Sequence, residues 1–239
     1  TLAMVFTFLP FSAFAAEGFV GPIELVAYNF PDEAFRNYLN NTYNKDGDNV
    51  LSPAEREAVY MINIRGGYNG KKITNLEGIK FFPNLWKLNC SENDLTHLDV
   101  SYNTNLQELI CYENKLTSLD VRKNSALQYL SCYDNNLTSL DVSKNTELTG
   151  LYCYGNQLTE LDVSQNAELQ YLYCNQNRLT SLQADNCTKL KKFECDNNVY
   201  NVKVYEKTGI LDPGILPGNF DISRVRNLNG AAPNADGTL

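Results

Sequence analysis

A single histidine, His97, in 239 residues leaves almost no imidazole chemistry to work with. Most catalytic constellations are therefore excluded, as are nearly all histidine-rich metal sites. Basic side chains are also scarce, 20 against 28 acidic ones, for a formal net charge of −8. Binding to nucleic acid draws on clustered Lys and Arg to release counterions, so no nucleic-acid partner is expected. A polybasic membrane-surface protein is excluded on the same ground. Beyond residue 15 no apolar run is long enough to span a bilayer, so no membrane insertion is expected. Hydrophobic residues nevertheless make up 43 % of the chain, too many for disorder, and a packed core is expected.

Residues 1–15, TLAMVFTFLPFSAFA, are almost wholly apolar and end in Ala13-Phe14-Ala15. That is the small-x-small pattern of a secretory cleavage site behind a short hydrophobic region. The chain is thus read as exported, secreted or at the cell surface, with residues 1–15 as signal peptide. Seven cysteines in an exported chain would ordinarily suggest disulfides. Their spacing says otherwise, because Cys90, Cys111, Cys132, Cys153, Cys174 and Cys195 lie 21 residues apart and only Cys187 is out of line. Even spacing is the mark of a structural repeat.

Leu85, Leu106, Leu127, Leu148, Leu169 and Leu190 follow the same period, and each begins a unit such as LQYLSCYDNNLTSLDVSKNTE (127–147). A unit this short cannot bury its own apolar residues, so neighbours must stack. Two asparagine columns mark the turns. One is Asn93, Asn114, Asn135, Asn156, Asn177 and Asn198; the other is Asn103, Asn124, Asn145 and Asn166, with Cys187 in the fifth place. A short amide can satisfy turn backbone groups that would otherwise be buried without partners. The periodic cysteines take the third apolar position and are expected to be free, inward-facing thiols, since rungs ~4.8 Å apart are too far for a good disulfide. Burial should keep them protonated.

These repeats, with Ile73-Thr74-Asn75-Leu76-Glu77-Gly78-Ile79 running into Phe82-Pro83-Asn84-Leu85, resemble the bacterial leucine-rich repeat surface proteins, including the internalin-like group. The resemblance covers about residues 30–225 and departs in its 21-residue unit, whose second half reads Leu-Asp-Val. It implies a leucine-rich repeat solenoid, mostly parallel β, a curved right-handed coil with a small α-helical N-terminal cap. It also implies binding in place of catalysis. The expected organisation is a cap over 16–64, a solenoid over 65–205 of one degenerate leading repeat and six units, and a C-terminal cap or the start of a further region over 206–239. Each rung should carry one strand near Leu109-Ile110-Cys111 and a second extended segment near Leu119-Asp120-Val121, with no room for a helix. Asp99, Asp120, Asp141 and Asp162 form a column of their own, solvated or hydrogen-bonded to the adjacent backbone. The glycine-rich turns of calcium-binding β-rolls are missing from it.

In the cap, Pro31-Asp32-Glu33 opens a helix, and residues 44–55 have the length and ligand spacing of an EF-hand loop. Asn44, Asp46 and Asp48 would supply oxygens at positions one, three and five, with the Val50 carbonyl at seven, Ser52 at nine and Glu55 at twelve. A bound, structural calcium ion is expected there. Position one is Asn where Asp is usual, and Asn49 stands where glycine is expected, though Asn tolerates the left-handed conformation. Ser52-x-x-Glu55 also reads as a capping box with Pro53 at the first helical position, which would make the loop a simple polar connection.

The outward positions of the concave strands carry seven of the 15 tyrosines: Tyr112, Tyr129, Tyr133, Tyr152, Tyr154, Tyr171 and Tyr173. All seven lie in the four central rungs, between polar and charged end rungs. Tyrosine favours strands in any case, but an aromatic centre with a polar rim is how binding hot spots are built. The expected function is a non-enzymatic, monomeric module that binds a protein or peptide on this face. A carbohydrate-binding module is the alternative. Hydrolysis by paired carboxylates, for example Glu194 with Asp196, has no pocket to support it.

Overall fold

The computed structural model describes residues 21–195, 197 and 198 together with the backbone of 203–205. The expected signal peptide, residues 1–15, and the expected C-terminal region, 206–239, lie outside the described residues.

The N-terminal segment folds as the cap. Strand β1 (Ile23–Glu24) pairs antiparallel with β2 (Val50–Leu51), and helix α1 (Glu33–Thr42) lies between them in sequence. Asp32 caps α1 by accepting from the Phe35 amide at 3.0 Å, and Ala34, Phe35 and Leu39 form its buried stripe. The Phe30 ring meets Phe35 edge-on at 5.9 Å and Phe81 at 5.6 Å, so one aromatic cluster joins the cap to the first repeat. The second oxygen of Asp32 accepts from the Thr74 amide at 2.8 Å and the Thr74 hydroxyl at 2.9 Å. Burial pushes this carboxyl's pKa up, but the hydrogen bonds from Thr74, Phe35 and Ala34 outweigh it and hold the group below the usual range. A depressed folded-state pKa adds stability that is full above the unfolded value of about 3.9 and is lost as pH falls through the folded one. Asp32→Asn keeps a capping oxygen, so a melting series from pH 6 to pH 2 should show a shallower acid limb for the variant. Parallel acid limbs would remove Asp32 from the acid response.

After helix α2 (Pro53–Glu57) comes β3 (Met61–Asn63), which begins a seven-stranded parallel sheet. The sheet continues in register through β4 (Lys87–Asn89), β5 (Glu108–Ile110), β6 (Tyr129–Ser131), β7 (Gly150–Tyr152), β9 (Tyr171–Tyr173) and β11 (Lys192–Glu194). It therefore starts four residues before the boundary expected from the repeats, because β3 supplies the ladder for β4, its Val59, Ile62 and Ile64 buried in the places of Leu85, Leu88 and Cys90 but off the 21-residue spacing. A second parallel sheet joins β8 (Glu160–Asp162), β10 (Ser181–Gln183) and β12 (Lys203–Tyr205). Among the described residues, the second extended segment expected in each rung pairs as strand in the last turns. Among the described residues of the repeats, helix is limited to one 3-10 turn, Ile79–Phe81, in the degenerate leading repeat.

Between the two sides lies a continuous core. In one turn Leu127, Leu130, Cys132, Leu137 and Val142 are fully buried and Leu140 is 7 % exposed, and neighbouring turns repeat the pattern. Each fully buried leucine contributes roughly 1.5–3 kcal/mol, a gain available only with a rung on either side. Cys90, Cys111, Cys132, Cys153 and Cys174 are buried free thiols in this core. Burial pushes Cys90 and Cys132 up to about 12, and Cys111 and Cys153 well above their ordinary value.

Two amide ladders tie the rungs together. Asn114 donates to the carbonyls of Cys90, Cys111 and Tyr112 and accepts from the Leu95 amide, and the pattern recurs along its column. In the second column Asn124 donates to Val100 and Asn103 carbonyls at 3.0 and 2.9 Å. Cys187 takes the fifth place there with its thiol, directed at Val163 and Asn166 carbonyls at 3.3 and 3.6 Å. The aspartate column is exposed, each carboxylate accepting from the amide two residues on, as Asp141 does from Ser143 at 3.0 Å. Among the described residues no helix is long and apolar enough to cross a membrane.

Candidate binding face

Strand alternation sends Leu130 and Leu151 into the core and Tyr129, Tyr152 and their rung equivalents outward. The parallel register then stacks like on like. Tyr112, Tyr133 and Tyr154 form one column, with ring centroids 4.3 and 4.4 Å apart and planes within 7° and 9°. Tyr152 and Tyr173 stack in a second column at 4.9 Å and 12°, and Tyr129 tilts in against Tyr152 at 5.2 Å and 41°. Gly150 makes that tilt possible: a Cβ there would come within 3.2 Å of both the Tyr129 and Tyr152 rings. Those rings cover Gly150 and Ser131, which are buried although they occupy outward positions. Tyr171, 36 % exposed, is the most open of the seven.

The centroid separations match the rung spacing of about 4.8 Å, so the rings lie across the solenoid axis. Their faces are turned to one another, and the edges and hydroxyls are what solvent meets. Partial burial pushes the phenol pKa of Tyr129, Tyr133, Tyr152 and Tyr154 up, helped by neighbouring rings at the first three and by the Asp134 and Glu113 carboxylates at Tyr154, so these four are neutral hydroxyls at any ordinary pH.

Charged groups close the ends. Arg65, from the turn after β3, places its guanidinium 5.8 Å from the Tyr112 ring centroid. It also pairs with Glu92 through Nη2 at 2.5 Å and Nε at 2.8 Å, and Glu92 accepts from the Tyr112 hydroxyl at 3.3 Å. Through those hydrogen bonds Arg65 holds the Glu92 carboxyl below its ordinary range. At the same end Lys87 pairs with Glu108 beside Tyr129, and at the other end Lys192 Nζ stands 6.0 Å from the Tyr173 ring. Arg65 and Glu92 were not singled out from the sequence. The 21-residue period was the available signal for Glu92, because Glu92, Glu113, Asp134 and Gly155 directly follow the tyrosine column.

The cap loop takes the turn its sequence suggested. Asn49, at the sixth place, adopts φ 62°. Asn44 Oδ1 accepts from the Gly47 amide at 3.1 Å, Asp46 Oδ1 from Asp48 at 3.3 Å and Asp48 Oδ1 from Val50 at 2.8 Å. Glu55 accepts from the Lys45 amide at 2.6 Å, which draws the two ends of the loop together, and from the Ser52 amide at 2.9 Å. Both halves of the Ser52–Glu55 capping box are present. No three His, Cys, Asp or Glu side chains converge on a common point among the described residues. Away from the sheet, Thr74, Glu77, Lys80, His97, Asp99 and Tyr102 line a solvent-open cleft of about 400 Å³ beside the leading repeat.

Stacked 21-residue rungs, an in-register parallel sheet and asparagine-tied turns define a leucine-rich repeat solenoid. Among solved structures it is similar to the functional domain of InlJ from Listeria monocytogenes, described as including a cysteine ladder. The two share 28 % identity over 82 % of this chain and 55 % of that one, with a TM-score of 0.50. The internalin InlF from Listeria monocytogenes str. 4b F2365 shares 21 % identity over 74 % of this chain and 59 % of that one, with a TM-score of 0.59. The chain thus spans little more than half the length of either. No protein-family model matches the sequence, and none of the curated proteins matches it.

Proposed function

We propose that this chain is a non-enzymatic binding module of an exported, internalin-like protein, and that it engages a protein ligand on the tyrosine face. The observation that carries this reading is the pair of adjoining aromatic columns, Tyr112–Tyr133–Tyr154 and Tyr129–Tyr152–Tyr173, half-buried yet open along one edge. Tyrosine gives broad contact area at low entropy cost, and a row of hydroxyls suits the amide groups of a polypeptide. The stacking also weighs against the glycan alternative. Sugars bind aromatic rings through their C–H faces, and most of these ring faces are already covered by one another.

The test compares the wild-type chain with a Tyr133→Ala, Tyr152→Ala, Tyr154→Ala triple variant, in capture of surface proteins and on a glycan array. Three hot-spot residues at about 2 kcal/mol each would weaken protein binding by more than 100-fold. A ligand held equally well by a folded triple variant would place the interface elsewhere, and glycan binding lost in the variant would favour the carbohydrate reading.

We also infer that the 44–55 loop takes up a calcium ion that stiffens the cap. Support comes from the left-handed Asn49 at the sixth position and from Glu55 reaching back to Lys45, which brings the twelfth ligand toward the first. Asn44, Asp46, Asp48, the Val50 carbonyl, Ser52 and Glu55 would hold the ion. Calcium at 100 times its dissociation constant would add about 2.7 kcal/mol, a melting shift of several degrees. An Asp46→Asn, Asp48→Asn variant should lose most of that shift. Identical melting in chelator and in millimolar calcium would leave Ser52–Glu55 as a capping box only.

A further inference from the structure

One rung boundary breaks the period. Ile73 and Leu95 hold the same place in successive turns, their amides donating to the Asn93 and Asn114 side chains at 2.8 and 3.0 Å. Ile79 and Val100 do likewise, their carbonyls each accepting at 3.0 Å, from Asn103 and Asn124. Ile79 lies six residues after Ile73, but Val100 lies five after Leu95, as Val121 does after Leu116 and Val142 after Leu137. The leading repeat thus carries one extra residue, with Glu77-Gly78 where the next turns have a single aspartate. Gly78 adopts φ 100°, and a Cβ there would collide with the Phe30 ring and fall 2.6 Å from the Asn29 carbonyl oxygen, so the extra residue is tucked against the cap. Segment 74–80 is carried off the next rung, and the cleft of about 400 Å³ lies between it and segment 96–102. Insertions in a solenoid fall on one face, often the one that binds.

The side chains depart from the repeat at the same place. His97 stands where later rungs have Ser118, Ser139, Glu160 and Ser181, and Tyr102 where they have Lys123, Lys144, Gln165 and Asn186. Rung stacking asks for neither, since both are exposed, Tyr102 by 43 %. Yet the single histidine and an exposed tyrosine both line this cleft. Buried Leu76, Ile79 and Leu98 form part of its wall, and Glu77, Lys80, Thr96 and Asp99 bring hydrogen-bonding groups of both kinds. Asp99 accepts from the Ser101 amide at 2.9 Å through one oxygen and has a second for a ligand. An apolar ligand would strip water from these groups without replacing its hydrogen bonds. Lys80 offsets one of the two carboxylates, so the cleft does not select strongly for an ion of either sign. A neutral ligand bearing several hydroxyls fits instead, donating to the carboxylates, accepting from lysine and threonine, and setting an apolar face against the tyrosine ring.

We propose that this cleft is a subsite for one neutral sugar residue, with Tyr102 against its C–H face and Glu77, His97 and Asp99 on its hydroxyls. The site is separate from the tyrosine face and stands whether or not a protein ligand docks there. Its volume lies within the range of about 300–1,000 Å³ common to small-molecule sites, and its few polar groups converge from two rungs as such sites require.

The test titrates glucose, galactose, mannose and N-acetylglucosamine, free and as disaccharides, into the intact chain, with amide NMR shifts as the readout. Glycine, acetate and methylammonium serve as charged controls. At least one sugar should bind at millimolar concentration, move the amides of residues 77, 97, 99 and 102, and bind more tightly than every charged control. His97→Ser with Tyr102→Lys installs what the following turns already carry as Ser139 and Lys144, so the fold is kept, and it should weaken that sugar at least about tenfold. The triple tyrosine variant, Tyr133→Ala, Tyr152→Ala, Tyr154→Ala, should hold the sugar as tightly as the wild type. A charged control bound as well as any sugar would overturn the choice of a neutral ligand. Sugar binding lost in the triple tyrosine variant but kept in His97→Ser, Tyr102→Lys would overturn the site and move the sugar to the tyrosine face. Shifts from no sugar at all would overturn the proposal too, reducing the cleft to the gap beside a one-residue insertion and leaving the protein-binding reading untouched.

Discussion

Asn135→Ala should cost about 3–5 kcal/mol in urea unfolding at neutral pH, a large fraction of the 5–15 kcal/mol that holds a typical domain. The Asn135 amide donates to the carbonyls of Cys111, Cys132 and Tyr133 at 3.0, 3.1 and 3.2 Å and accepts from the Leu116 amide at 3.0 Å. These partners belong to two successive rungs and sit where water does not reach, Asn135 itself being 7 % exposed. Alanine removes one side chain but strands several backbone groups, and each stranded group carries its own desolvation cost. The second amide column should respond differently. Asn145 donates to Val121 and Asn124 carbonyls at 2.9 and 2.8 Å, while its buried oxygen finds no hydrogen-bond donor. Cysteine supplies a donor without that oxygen, as Cys187 does two rungs further along the same column. Asn145→Cys should therefore cost less than Asn145→Ala, and Asn135→Cys should gain no comparable relief. A cost below about 1 kcal/mol for Asn135→Ala would mean that the ladder is not what holds the turns.

The other large effect is expected at Arg56, where a 2 % exposed guanidinium fastens the cap to the solenoid. It donates to the Phe81 carbonyl at 3.1 Å and to the Gly21 carbonyl at 2.6 Å, joining α2 to the leading repeat and to the start of the described chain. Hydrogen bonds to a charged group are worth roughly 1.5–3 kcal/mol each, so Arg56→Met should destabilise the cap by about 3 kcal/mol while keeping most of the apolar stem. The loss should be local. Hydrogen exchange is expected to accelerate in α1, α2 and β3 before it does in β6 or β7, because stability in a stacked repeat is passed between nearest neighbours. Uniform acceleration along the solenoid would show that cap and repeats unfold as one unit. A variant as stable as the wild type would show the pairing to be energetically idle.

Much of this architecture is visible in the sequence because each rung meets a copy of itself. A column such as Leu88, Leu109, Leu130 and Leu151 can be read from spacing alone: period 21 puts like residues in like surroundings, and alternation decides which of them face inward. The asparagine and cysteine columns follow from the same logic, while the left-handed turn at Asn49 was legible from its sixth place in the 44–55 loop. The tyrosines could be assigned to one face in the same way. Alternation also puts Ser131 and Gly150 on that face, yet both are buried there, Gly150 against the Tyr129 and Tyr152 rings. The strand β3 was missed as a rung because Ile62 lies 26 residues before its partner Leu88, off the 21-residue period, although Val59, Ile62 and Ile64 carry the buried pattern of a rung.

Repeat period, fold class and the two faces of each rung are therefore properties of the chain as a string, since they depend on spacing and on which side chains water rejects. Ring orientation and the seat of Arg65 on Glu92 and Tyr112 are decided in three dimensions. They depend on distances between residues 20 or more positions apart, such as the 27 separating Arg65 from Glu92, and on how two rings share the space above one glycine. Packing and Coulomb attraction act through space, and the period carries no information about which of several equivalent acids a single arginine will reach.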